Sequence, residues 1–245
     1  MNSPDIGEQA ISKAAEVGME TQLEEAEELD VDIRTNPVDV AQGKLESVDV
    51  EGEGLVMEKE LRAEKLDIET DDIKIDPLKA AFGDIEMERP TNASARIVLT
   101  DDDIQRAFNS EYIKDKLKDQ KVEINGETVQ ATAERVKFAM PGEGKISLEA
   151  DISLAKASET KQIAFTAKPR ISDRGNKIVV EDVEYTSGKN EAPELTQALL
   201  DSTEDLLDLR NFELDEMSLQ LNKLDVQKKK MTIDADATVK QLPQD

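Results

Sequence analysis

The chain has 245 residues, and its net charge of −25 excludes general nucleic-acid binding, because the protein would repel a phosphate backbone. Histidine and cysteine are absent, which excludes the common Ser-His-Asp triad, disulfide bonds, thiolate metal sites and most zinc sites. Only 3% of residues are aromatic and tryptophan is absent, so the core must consist mainly of Leu, Ile, Val and Ala.

The length suits one large domain or two small ones, and it is sufficient to bury a hydrophobic core. The N-terminal residues contain no basic segment followed by an apolar run, so we expect no signal peptide. No apolar stretch approaches the ~18–20 residues that span a bilayer. We therefore expect a cytoplasmic protein, with peripheral membrane association as an option, unless Met1 replaces a removed leader.

The first predicted element is a helix over about residues 3–23. Ser3 is a suitable N-cap, and Pro4 suits the first helical position. The helix carries a stripe of mostly small apolar side chains that we expect to pack on another element, namely Ile6, Ala10, Ala14 and Val17.

A long β region follows the first helix. Leu29, Val31 and Ile33 alternate with polar residues, which predicts a strand, and Asn36-Pro37 ends it. After Gly43, apolar residues up to position 75 predict at least three further strands.

The centre of the chain predicts a strand that leads into a helix. Ala95, Ile97 and Leu99 alternate as in a half-buried strand. Thr100 and Asp103 have the spacing of a capping box, which starts a helix over about residues 101–118.

The apolar residues of this central helix do not form one stripe. Ile104, Ala107, Phe108 and Tyr112 share one face, whereas Ile113 and Leu117 lie roughly opposite. Either the helix breaks at Asn109-Ser110, with Ser110 capping a second helix, or it is contacted on two sides. In the simpler interpretation the helix bends over a sheet. In the more specific interpretation a curved sheet wraps around the helix, and part of the helix surface faces a ligand.

The remaining elements are strands around one further helix. Asn125-Gly126 is a strong hairpin signal, and alternating residues from Ile146 to Leu154 predict an amphipathic strand. A helix over about 193–209 is apolar on more than half of its surface, and strands with the turn Lys228-Lys229-Lys230 end the chain.

Together these elements predict a single α+β domain over residues 1–245. We expect a long, curved, mostly antiparallel sheet that carries two or three helices on its concave face. No internal repeat or linker divides the chain.

The sequence offers little for catalysis, and we expect neither an enzyme nor a cofactor. No P-loop, GxGxxG, GxSxG or EF-hand pattern is present. Asp101-Asp102-Asp103 would suit Mg²⁺ or Ca²⁺, but a helix cap explains these acids equally well, so we assign no metal site. Arg135, Lys137 and Lys145 would suit a phosphate, although single basic residues on strands usually face solvent.

An apolar interior between the sheet and the helices would bind an acyl chain without any catalytic residue, since each buried CH₂ contributes ~0.8 kcal/mol. The alternative is that these faces only pack on one another. The candidate lining residues are Ile97, Leu99, Ile104, Phe108, Ile113, Leu117, Leu195, Leu199, Leu206 and Leu209.

Two segments resemble the bacterial LmeA-like phospholipid-binding family, formerly a domain of unknown function. The first is Gly43–Ile113, GKLESVDVEGEGLVMEKELRAEKLDIETDDIKIDPLKAAFGDIEMERPTNASARIVLTDDDIQRAFNSEYI. The second is Pro193–Pro243, PELTQALLDSTEDLLDLRNFELDEMSLQLNKLDVQKKKMTIDADATVKQLP. The resemblance covers nearly the whole chain from about Asp5, and it is strongest to the cyanobacterial branch.

The resemblance implies a tubular lipid-binding (TULIP-like) architecture, phospholipid binding and, from actinobacterial relatives, a role in membrane biogenesis. It assigns no headgroup ligands. Our first hypothesis is a non-enzymatic phospholipid or acyl-lipid binder, in the form of a carrier with transient membrane contact. The alternatives are an acidic structural or adaptor module that binds a basic protein partner, and an acid-dependent metal hydrolase. The oligomeric state is left open.

Overall fold

The computed structural model describes residues 6–57, 61–76, 87–124, 126–155, 159–172, 174–186, 193–206 and 217–240. These residues are rich in strand with few helices, and the sheet curls into a half-barrel. The fold is therefore sheet-rich α+β, as the alternation predicted. The TULIP-like detail and the single domain over 1–245 stay predictions.

Five helical segments are present in the described residues. They are α1 (Ile6–Glu20), α2 (Pro37–Val40), α3 (Asp101–Asn109), α4 (Glu111–Lys116) and α5 (Pro193–Leu206). The strands are β1 (Glu28–Arg34), β2 (Lys44–Leu45), β3 (Ser47–Met57), β4 (Leu61–Thr70), β5 (Ile73–Lys74), β6 (Thr91–Thr100), β7 (Gln120–Ile124), β8 (Glu127–Gly142), β9 (Lys145–Leu154), β10 (Glu159–Ile171), β11 (Ile178–Tyr185), β12 (Met217–Gln227) and β13 (Lys230–Val239).

The strands form two principal sheets, which corrects the expectation of one long sheet. A six-stranded sheet has the order β1-β3-β4-β6-β13-β12, a five-stranded sheet has the order β11-β10-β9-β8-β7, and β2 pairs with β5. The chain leaves the first sheet after β6, passes through α3 and α4, and starts the second sheet at β7. Alternation identifies strands but not the ladder that each one joins, so the division was not visible in the sequence.

Two hydrophobic clusters hold these elements together. The main cluster joins buried side chains of β7–β10 and α5 to Val226 and Met231 of the β12–β13 hairpin, so it lies between the two sheets. The second cluster contains Leu29, Val31 and Ile33 of β1 and packs against α1. Helix α1 therefore lies on this separate cluster and does not pack on the main cluster with α5.

Helix α1 covers the free edge of β1 with polar side chains. The Ser12 hydroxyl accepts a hydrogen bond from the Ile33 amide at 2.9 Å, and the Glu8 carboxylate accepts one from the Thr35 amide at 3.1 Å. Four helical residues rise ~6 Å and two strand residues ~6.8 Å, so the spacings match.

These bonds decide which face of α1 is buried. Ile11 and Ala15 pack on the second cluster, whereas Ala10, Ala14 and Val17 of the predicted stripe are exposed. The stripe was therefore assigned to the wrong face, because Glu8 and Ser12 bind the strand edge and turn the helix.

The capping predictions at the central helix are confirmed. The Thr100 hydroxyl accepts from the Asp103 amide, and the Asp103 carboxylate accepts from the Thr100 amide. The helix then breaks at Ser110, whose hydroxyl accepts from the Ile113 amide and caps α4. The break separates the two apolar faces that one straight helix could not have buried together.

Gly175 fixes the β10–β11 turn against β12, and we expect its replacement by alanine to be costly. Its φ is +67°, and an added Cβ would lie 2.8 Å from the Leu221 carbonyl oxygen. We expect Gly175→Ala to lower the free energy of unfolding by about 2–3 kcal/mol. Gly144→Ala is the control, since Gly144 has φ +71° but no atom within 4 Å of the added Cβ, and it should lose only about 1 kcal/mol. Equal losses in urea denaturation would contradict the proposed clash.

Candidate functional site

Helix α3 connects the two sheets, with side chains that contact β4 on one side and β8 on the other. Arg62 of β4 donates to the Asp103 carboxylate at 2.6 Å, and it also donates to Glu64 at 2.8 Å and Glu27 at 3.0 Å. Asp103 is 3% exposed. This buried ion pair fixes the start of α3 on the six-stranded sheet.

The same contacts shift the proton affinities of both partners. Burial alone would raise the pKa of Asp103, but hydrogen bonds from the Thr100 hydroxyl and amide, together with the Arg62 guanidinium, outweigh burial and lower it. Hydrogen bonds to Glu64 and then to Asp103 raise the pKa of Arg62. Asp103 therefore stays ionised at neutral pH and holds α3 as an anion.

The opposite side of α3 covers an edge of β8 that β7 leaves open, because β7 pairs only with Glu127–Ala131. The Gln105 carboxamide accepts from the Phe138 amide at 2.8 Å and donates to the Val136 carbonyl at 2.6 Å. Asn109 donates to the same carbonyl at 2.9 Å. We call these contacts, with the bond from the Met140 amide to Asp101 at 3.0 Å, the α3 ladder.

Helix α5 covers the inner face of the five-stranded sheet and leaves a narrow cavity beneath it, which we call the α5 slit. The slit has a volume of about 20 Å³, room for roughly one water molecule. The space arises where small side chains of β8 and α5 face each other. Its lining residues are Leu117, Gln120, Val122, Ala131, Ala133, Ile152, Leu195, Ala198, Leu199 and Ser202.

The structure brings only part of the predicted lining set to this slit. Leu117, Leu195 and Leu199 line it, and Leu99, Ile104, Phe108 and Ile113 pack elsewhere on the main cluster. Ile97 of β6 pairs with Leu66 of β4 and Ile233 of β13, and it lies outside the main cluster. The side chain of Leu206 and the whole of Leu209 lie outside the described residues.

The sheet residues of the slit were not among the predicted lining residues. Ala131 and Ala133 alternate on β8, and two small inward residues at this spacing are a signal for space above a sheet. Ala198 of α5 is also small and also lay outside the predicted lining set. Gln120 and Ser202 are polar lining residues that apolar periodicity cannot identify.

A second, polar cavity of about 480 Å³ opens to solvent between α1 and the six-stranded sheet. Two rows of acidic residues, each running across neighbouring strands, border this cavity. Within each row, like charges lie directly opposite one another on paired strands, which destabilises the sheet. Arg34 pairs with Asp32 and Asp49, and Lys65 pairs with Asp67, so the rows are partly neutralised. The rows are Asp30-Glu51-Asp67 and Asp32-Asp49-Glu69.

Two of the three acids at the start of α3 form hydrogen bonds within the protein. Asp103 closes the capping box and pairs with Arg62, and Asp101 accepts from Met140. In the described part of the chain, no three acidic side chains converge as ligands of a metal ion would. Nor does any helix in that part combine the length and apolar character needed to cross a bilayer.

Comparison with known proteins gives one match. Neither the curated proteins nor the solved structures include one that matches this chain. The family model described as LmeA-like phospholipid-binding matches residues 5–236, which includes α3, α5 and the strands that line the slit. The cyanobacterial subtype stays a prediction. The chain belongs to the LmeA-like phospholipid-binding family.

Proposed function

We propose that this protein is a non-enzymatic phospholipid-binding protein whose acyl-chain site is the α5 slit. The family match over residues 5–236 is the observation on which the proposal depends. The slit is the place in the described residues where apolar side chains of a helix and a sheet face each other across a gap. In this conformation the gap is too small for an acyl chain, so binding requires α5 to move away from the sheet.

The energetics favour this opening. Separating Leu195, Leu199 and Leu200 from the sheet exposes three buried side chains, at a cost of roughly 5–9 kcal/mol. An acyl chain with about 15 methylenes gains ~12 kcal/mol on burial. The chain would also cover the same leucines again, so the net change favours the bound state over an acyl chain dissolved in water.

We extend the proposal to a carrier that exchanges lipid with a bilayer by transient contact. An apolar site that is closed without ligand keeps its leucines away from water between two membranes. A role in membrane biogenesis follows from this only as a prediction.

The first experiment is organic extraction and lipid mass spectrometry of the purified protein, beside native mass spectrometry of the intact complex. We expect each protein chain to retain one phospholipid through purification or to acquire one from liposomes. A protein that stays free of lipid after incubation with liposomes would contradict the proposal.

A variant that fills the slit locates the site. Ala198 lines the slit, so we expect Ala198→Leu to reduce phospholipid retention at least 10-fold while the chain stays folded, because the leucine occupies the gap. Ala10→Leu is the matched control, since Ala10 is exposed on α1. Equal retention by both variants in native mass spectrometry would place the lipid elsewhere.

A charged variant gives a larger effect at the same place. Leu199 is 6% exposed, and in Leu199→Asp a carboxylate would face the acyl chain without a partner. We expect lipid retention to be abolished. Circular dichroism identifies an unfolded variant, and unchanged retention in a folded Leu199→Asp protein would contradict the assigned site.

The adaptor alternative is favoured by one observation, the two acidic rows beside the polar cavity. Like charges that face each other across strands cost stability unless a cationic partner offsets them. In this case purified protein without lipid would capture a basic protein at low salt and release it at high salt. Phospholipid retention that depends on Ala198 would exclude the adaptor role as the sole function.

A further inference from the structure

Three consecutive lysines form the turn between β12 and β13. Lys228 and Lys229 occupy the two loop positions, and Lys230 begins β13 opposite Gln227. All three are exposed, and none forms an ion pair with a described acidic side chain. Three consecutive exposed cations stand out in a chain of net charge −25.

The backbone conformation at Lys229 favours glycine or asparagine over lysine. Lys229 has φ +62°, and the second position of such a two-residue loop prefers Gly or Asn. A lysine in the left-handed region is strained, because its Cβ approaches the following carbonyl oxygen. A residue that opposes its own turn geometry indicates a use for the side chain.

The turn is held in place at one end of the two sheets. The Lys229 amide donates to the Met140 carbonyl at 3.0 Å, and an added Cβ on Gly142 would lie 3.7 Å from the Lys228 Cβ. The β8–β9 turn and the lysine turn therefore lie side by side. Val226 and Met231, which flank the lysine turn in sequence, belong to the main cluster.

Two of the acids near the turn, Asp101 and Asp225, accept hydrogen bonds within the protein. Asp101 lies close to Lys230, because Lys230 pairs with the adjacent Thr100. The Asp101 carboxylate accepts a hydrogen bond from the Met140 amide. Asp225 accepts from Gln227. Glu143, next to Gly142, and Asp102, next to Asp101, are exposed, and Glu64 of the neighbouring strand β4 pairs with Arg62. Because the Debye length is ~8 Å at physiological salt, the acidic rows near α1 are screened from a charged surface that contacts the lysines.

We propose that the Lys228–Lys230 turn is the surface with which this protein docks on an anionic bilayer. The proposal rests on the lipid exchange proposed above and names the surface that holds the protein on the membrane during the exchange. Each lysine near an anionic surface strengthens binding about 5-fold, and three together about 100-fold. The turn thus gives an acidic protein a local, oriented attraction to a membrane that its net charge would repel.

Sedimentation with vesicles tests the proposal, using phosphatidylcholine alone or mixed with phosphatidylglycerol. We expect binding only to the mixed vesicles and weakening at high salt. The triple variant Lys228→Gln, Lys229→Gln, Lys230→Gln should lose about 100-fold in affinity. The matched control is Lys114→Gln, Lys118→Gln, Lys121→Gln, which removes three exposed lysines around α4 and β7. Equal losses in the two triples, or no loss in the first, would overturn the proposal.

A single substitution separates docking from folding. Lys229→Gly removes one charge and also relieves the left-handed strain, so we expect weaker vesicle binding together with a higher unfolding temperature. Unchanged vesicle binding in this variant would count against the turn. Native mass spectrometry of the same variants distinguishes the two proposals: retained phospholipid without lysine-dependent docking overturns only the docking surface, and lysine-dependent docking of a chain that never binds phospholipid overturns only the lipid site.

Discussion

Replacing Gln105 and Asn109 together by alanine is expected to lower the free energy of unfolding by about 4 kcal/mol. The double variant leaves the Val136 carbonyl and the Phe138 amide without the partners that α3 supplies. A buried polar group without a partner costs ~1–3 kcal/mol, and Val136 is only 2% exposed. Small domains are stable by only ~5–15 kcal/mol, so a large fraction of the stability depends on these two side chains.

The single variants should not add up to the double variant. Asn109→Ala leaves Gln105 bonded to the Val136 carbonyl, and Gln105→Ala leaves Asn109 bonded to it. We expect losses of about 0.5 kcal/mol for Asn109→Ala and about 2 kcal/mol for Gln105→Ala, which also frees the Phe138 amide. The excess in the double variant, about 1.5 kcal/mol, is measured by a urea double-mutant cycle. Strict additivity would show that the two donors do not share one acceptor.

Three helices cover strand edges in a similar way. Helix α1 uses Glu8 and Ser12 on β1, α3 uses the α3 ladder on β8, and Glu204 of α5 accepts from the Val180 amide of β11 at 3.1 Å. Exposed strand edges promote aggregation, and proteins cover them for this reason. Movement of α5 during lipid entry would break the Val180–Glu204 bond and the ion pair of Glu204 with Lys177 at 3.3 Å, whereas movement of α3 would break the four hydrogen bonds of the α3 ladder and the Arg62–Asp103 ion pair. This difference favours α5 as the element that opens.

Local features of this fold were predictable from the sequence. The Thr100–Asp103 capping box, the break at Ser110 and the β7–β8 hairpin, with Ile124 opposite Glu127, all follow from residues close together in the chain. Their physical causes are side-chain bonds to neighbouring backbone groups, which a short segment is enough to specify.

The long-range features were not predictable in this way. In the sequence, Gln105 and Asn109 look like solvent-facing polar residues of a helix, and only the position of β8 shows that they bind a strand. The same holds for Glu8 and Ser12, which bind β1. Apolar periodicity identified Leu117, Leu195 and Leu199, but the slit also needs Ala131 and Ala133 on the sheet. The missing information is which ladder each strand joins, and this depends on the whole chain.

Replacing Asp103 by alanine is expected to cost about 3–5 kcal/mol of stability, because one side of a buried ion pair is removed and the capping box is lost. Arg62 would keep Glu27 and Glu64 as partners, but the contact between β4 and α3 would lose its shortest hydrogen bond. Asp102→Ala is the matched control in the same helical turn, since Asp102 is exposed and should lose at most about 1 kcal/mol.

Acid should remove the same contribution in the unaltered protein. The pKa of Asp103 is lower in the folded chain than its ordinary value, so its contribution is complete above the unfolded pKa of ~3.9 and is lost as the pH falls through the folded value. Asp103→Asn keeps the size of the side chain but not its charge. The difference in free energy of unfolding between the unaltered protein and Asp103→Asn should therefore be constant near neutral pH and shrink below about pH 4. A difference that grows in acid, measured by urea denaturation across this range, would show that Asp103 is held in its protonated form and that the anion does not fix α3.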